Sequence, residues 1–62
     1  MDWKEAESML TEMSVIFNRD NIRKLTYNRE VFPLAFRYEN GERSDQLYQS
    51  IISLYRELIY HY

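Results

Sequence analysis

Between Ser44 and Tyr62 the sequence carries an apolar pattern of helical period that is wide for so short a chain. At 100 degrees per residue, Leu47, Tyr48, Ile51, Ile52, Leu54, Tyr55, Leu58, Ile59 and Tyr62 fill an arc of about 160 degrees, whereas a helix docked on one core needs a stripe of roughly 100 degrees. The surplus predicts a helix that turns one border of its face to its own core and the other to a second protein chain. Tyr48, Ile52 and Ile59 share that border, with Tyr55 nearby, and these four are the candidate interface residues.

Chain length sharpens the same expectation. A domain of 62 residues buries only about 60% of the surface its unfolded chain exposes, so it is marginal alone. Disulfides and a structural zinc are the usual remedies. This sequence has no Cys and a single His, which removes both. Self-association or binding to a larger protein is the remaining route, and no cofactor or small-molecule substrate is expected. With 45% hydrophobic residues, one Gly and one Pro, the composition is that of a folded chain rather than a disordered one.

The formal net charge of -2 is too small to indicate a DNA mimic or a basic nucleic-acid binder. Its distribution is uneven. Residues 1–18 carry Asp2, Glu5, Glu7 and Glu12 against Lys4, and residues 38–62 carry Glu39, Glu42, Asp45 and Glu57 against Arg43 and Arg56. Between them Arg19, Arg23, Lys24, Arg29 and Arg37 outnumber Asp20 and Glu30. The first residues lack a basic stretch followed by an apolar run, and no apolar run approaches the ~20 residues of a membrane span. A cytoplasmic protein without a membrane partner is the corresponding expectation.

Asp2 is placed to cap a first helix, with Glu5 positioned to reach back to the cap. Trp3, Ala6, Met9, Leu10, Met13, Ile16 and Phe17 then recur at helical spacing, predicting a helix over residues 3–17. Asn18, Arg19, Asp20 and Asn21 predict its end. Phe32, Leu34, Phe36 and Tyr38 alternate with Pro33, Ala35 and Arg37, predicting a strand, and Leu25 and Tyr27 predict a shorter partner strand over residues 22–28. Pro33 then belongs on a sheet edge. Asn40-Gly41 predicts a turn into a last helix capped by Ser44, with Asp45 at its positive end. The expected fold is therefore a single α+β domain over residues 1–62, ordered α-β-β-α, with two amphipathic helices on one face of an antiparallel β-hairpin completed by dimerisation.

Catalysis needs a nucleophile with a base, paired carboxylates or a metal. His61 stands one residue from the end of the sequence, where it suits the negative pole of a helix. Glu5 and Glu12 share an outward helix face about 10 Å apart by helical rise, too far to share a proton, and read as solubility charges. Asp20 and Asn21 lack the remaining ligands of a calcium loop, and the lone Gly41 cannot make a phosphate cradle. No catalytic, cofactor or metal residue is expected. Tyr27, Tyr38 and Tyr55 are expected at the rim of the core, and Tyr60 on the polar face.

These readings predict a non-enzymatic protein-protein interaction module, an adaptor, inhibitor or regulatory protein that acts by surface occlusion or self-association. The alternative is a small nucleic-acid-associated regulator using Arg23, Lys24, Arg29 and Arg37 around the hairpin. Strand parity weighs against it, because Tyr27 and Tyr38 then share the buried face and leave no stacking rings beside the cations. Nucleic acid is accordingly not the expected partner.

Overall fold

Asp2 begins the first helix as its sequence position predicts. Its carboxylate accepts from the Lys4 and Glu5 amides at 3.1 and 3.2 Å, and α1 runs Trp3–Phe17. Glu5 does not close a capping box; the Asp2 amide instead donates to the Tyr48 hydroxyl at 3.2 Å. The computed structural model describes residues 1–60. His61 and Tyr62, to which the sequence assigned a helix-end histidine and one member of the apolar arc, lie outside the described residues.

After α1 the chain forms α2 (Asn21–Thr26), a π-helical turn (Tyr27–Val31), α3 (Phe32–Glu39), α4 (Asp45–Tyr55) and a second π-helical turn (Arg56–Tyr60). The backbone from 21 to 39 is one continuous helical rod, so the described residues make three rods with no strand. The expected α+β fold is overturned, and with it the β-hairpin, the strands at 22–28 and 32–38, and the edge role of Pro33.

Two physical reasons account for the correction. Asp20 does not simply end a helix: its carboxylate accepts from the Arg23 amide at 2.8 Å and starts the next one. Phe32, Leu34, Phe36 and Tyr38 do alternate, but Val31, Leu34, Ala35 and Tyr38 fall at i, i+3, i+4 and i+7, the spacing of a helix face. That second set turns inward: Val31 is fully buried, the other three are half-buried, and Phe32 and Phe36 are left outside.

Pro33 is housed by the widened turn. In a regular helix its ring collides with the carbonyl four residues back, at Arg29. Arg29 sits within the π-helical turn, where the Phe32 amide reaches back five residues to the Tyr27 carbonyl. The wider turn also helps phase: a four-residue spacing overshoots an α-turn by about 40 degrees, and the extra width takes up part of that drift. Arg23, Tyr27, Val31 and Ala35 thereby stay on the inward side.

The core forms mainly where α1 meets the last rod. Ala6, Leu10, Met13 and Phe17 from α1 face Leu47 and Ile51 from α4 and Leu58 from the second π-helical turn, while the rod 21–39 adds only Val31 to the buried set. α3 ends at a left-handed glycine, Gly41 at φ 93°. The Glu42 and Gly41 amides return to the Arg37 and Tyr38 carbonyls, both at 3.0 Å, closing the helix end. Ser44 then caps α4, its hydroxyl accepting from the Leu47 amide at 3.2 Å.

Candidate interaction surface

The arc predicted to face a second chain is mostly occupied within the molecule. Leu47, Ile51 and Leu58 are buried, and Tyr48, Ile52, Leu54, Tyr55 and Ile59 are half-buried. Tyr48 meets Trp3 edge-on at 5.3 Å between ring centres and uses its hydroxyl on the Asp2 amide. Tyr55 donates to Glu12, so Glu12 holds a helix-helix contact rather than serving as a free solubility charge. That bond raises the Tyr55 phenol to about 12, because ionising it beside a carboxylate removes the bond and sets two anions together. Ile59 borders a groove of about 230 Å³ shared with Ile16, Phe17, Leu58 and Arg23. The four candidates therefore do not form one open patch: Tyr48 and Tyr55 close rod contacts, while Ile59 borders a groove.

Tyr38 repeats the Tyr55 arrangement on the other flank of α1. Its hydroxyl donates to Glu7 at 2.6 Å, and that bond raises its pKa above the ordinary phenol value. Arg43 stacks on the outer face, its guanidinium carbon 3.8 Å from the Tyr38 ring centre and 5.3 Å from that of Trp3. Trp3, Tyr38, Arg43 and Tyr48 thus tie all three rods together at one end.

The basic residues lie on a helical rod, not around a hairpin. Arg37 is committed to Glu42 by two bonds, 2.9 Å from Nε and 2.5 Å from Nη2. Glu42 also accepts from Ser44 at 2.6 Å. The Arg37 bond, then that of Ser44, holds the Glu42 carboxyl at about 2, and Glu42 in turn raises the Arg37 guanidinium. Arg23 and Arg29 make looser exposed pairs, 3.7 Å to Asp20 and 3.5 Å to Glu30. Lys24 is exposed. The four cations are not gathered into a single phosphate-tracking groove, and Arg37 is spoken for by the corner it builds.

Among the described residues, Met1, Val15 and Tyr60 are exposed apolar side chains elsewhere in the chain, and the remaining large exposed ones gather on the rod 21–39. Ile22 is 77% exposed, Leu25 68%, Phe32 50% and Phe36 58%, and the two phenylalanine rings are 6.0 Å apart. Sequence reasoning missed these four as surface residues because it assigned them to strands; the Phe32/Phe36 spacing of four was the available signal. Among the described residues no group of three His, Cys, Asp or Glu is placed to hold a metal ion, and no helix is long and apolar enough to cross a membrane. The depressions on the surface are open ones, such as that of about 600 Å³ bordered by Lys4, Glu7, Ser8, Thr11 and Glu12. Comparison with known protein families, curated proteins and solved structures finds no match to this chain.

Proposed function

We propose that this chain is a non-enzymatic protein-protein interaction module that occludes part of a partner's surface through the outward side of the rod 21–39. The observation that supports this reading is the exposure of Ile22, Leu25, Phe32 and Phe36 on one rod of a molecule whose fully buried set already excludes them. Apolar side chains exposed in such number on a chain this small are a cost in water that burial against a partner offsets, on the order of 1.5 to 3 kcal/mol for each one fully covered. An adaptor, inhibitor or regulatory role in the cytoplasm belongs to the same reading, and the Cys-free composition is compatible with it.

Photo-crosslinking residues in place of Leu25 or Phe36, compared with exposed Thr11 and Gln49 elsewhere, test it in native extract. A discrete adduct from the rod positions alone is expected, lost when the neighbouring Phe32 becomes Ser. Adducts of equal yield from all four positions, or none from any, contradict it.

A further inference from the structure

α2 is the least explained segment of the fold. α2 is the first stretch of the continuous rod 21–39, yet it has no fully buried side chain and holds Ile22 and Leu25 in solvent. Neither residue contributes to the core that stabilises the rods. Both are accounted for if α2 is a docking element whose apolar pair is covered by something else.

The surrounding charge states what covers it. Residues 19–30 hold Arg19, Arg23, Lys24 and Arg29 against Asp20 and Glu30, four cations to two anions, a local +2 in a chain of formal net charge -2. All but the half-buried Arg23 are exposed. The exposed pair of Arg29 with Glu30 at 3.5 Å is worth little in water and is readily exchanged for another carboxylate. Resting on the interaction-module reading above, we infer that α2 docks an acidic amphipathic segment of a partner protein, which covers Ile22 and Leu25 with aliphatic side chains and sets carboxylates against Lys24 and Arg29.

Other occupants fit less well. A second copy related by a twofold axis through this corner sets the basic patch against itself, which electrostatics opposes. Nucleic acid gains nothing from Ile22 and Leu25, which have no ring to stack on a base. A lipid surface is offered two apolar anchors on a single short helix, a small area for insertion.

The test follows backbone amide shifts of the isotope-labelled full chain on titration with a synthetic helical peptide carrying a leucine stripe flanked by glutamates. Shifts centred on residues 20–29 are expected, with affinity that falls steeply as salt is raised. Binding should weaken by about tenfold or more in the Lys24→Glu/Arg29→Glu double variant, a loss typical of breaking charge complementarity at an interface. A comparable loss is expected in Ile22→Ser and, separately, in Leu25→Ser, with helical circular dichroism unchanged because both residues are exposed. The inference is overturned if the glutamine-substituted peptide binds equally, if no shift occurs, or if phosphatidylserine-containing vesicles or an oligothymidine strand shift the same amides at lower concentration. Shifts centred on Phe32 and Phe36 overturn it as well, while leaving the broader interaction-module reading intact.

Discussion

The α1–α4 pair and the rod 21–39 are similar in apolar content but use it differently. In the pair, apolar side chains meet across an interface that leaves Met13, Leu47 and Ile51 without solvent contact, and the tyrosines at its border find hydrogen-bond partners. In the rod, Val31 alone reaches full burial while Ile22, Leu25, Phe32 and Phe36 face outward. Hydrophobicity along a short chain therefore does not locate its core. What separates the two regions is whether an inward residue has an opposing rod at the same level.

Shortening one phenylalanine in each region separates the two most strongly. Phe17→Ala removes one of the largest fully buried side chains and should cost about 3 to 5 kcal/mol, as much as a single core of this size usually supplies. Phe36→Ala should stay within about 0.5 kcal/mol. Urea unfolding followed by circular dichroism measures both; equal losses erase the distinction between the regions.

The joint between them is the next target. Gly41 holds φ 93° and an added Cβ meets nothing within 4 Å, so Gly41→Ala isolates the backbone strain. A loss of about 1 to 2 kcal/mol is expected in the same assay, and no loss means that the rod does not end at a left-handed residue.

Acid probes the same corner. The Glu42 carboxyl is held at about 2 in the fold against an ordinary 4.5, so its contribution is complete above about 4.5 and fades as pH falls towards 2. Glu42→Gln should flatten the fall of the melting temperature with acidification across that window. An unchanged slope means that the Arg37–Glu42 pair does not fasten the corner in solution.

The smallest effect is expected at the alkaline end. Tyr55 is raised to about 12 from an ordinary 10, so its contribution is present below 10 and is lost as pH climbs towards 12. Tyr55→Phe should remove that part of the alkaline decline and move the phenol absorbance titration accordingly. If the absorbance lost in the variant belongs to a phenol titrating near 10 rather than near 12, Tyr55 is not bound to Glu12.

How much of this was legible depended on whether local signals agreed. For α1, the Asp2 cap and the spacing of Ala6, Leu10, Met13 and Phe17 name one structure, and the structure has it. The Gly41 turn and Ser44 cap were equally plain. In residues 31–38 two periodicities overlap on the same apolar letters, and only the presence of α1 and α4 on one side selects Val31, Leu34, Ala35 and Tyr38 over Phe32 and Phe36. Pro33 reads as a sheet-edge residue, because nothing local shows that a π-helical turn will make room for it in a helix. The breadth of the last apolar arc was read correctly as a pattern. Its use was hidden, since the reach of Tyr48 to the Asp2 amide and of Tyr55 to Glu12 depends on how the rods pack. For the open surface on the middle rod, the four-residue spacing of Phe32 and Phe36 was a signal, but which side of the rod faces outward depends on the same packing.

Solvent accessibility at the side chains decides whether the two regions differ as described. Relaxation enhancement of side-chain protons by a soluble neutral paramagnetic probe, recorded on the dilute single chain, compares Ile22, Leu25, Phe32 and Phe36 directly with Phe17 and Met13. Strong enhancement at the first four and almost none at the last two is the predicted result. Protection of Phe32 and Phe36 equal to that of Phe17 would place them in the core and remove the surface on which the proposed binding role stands.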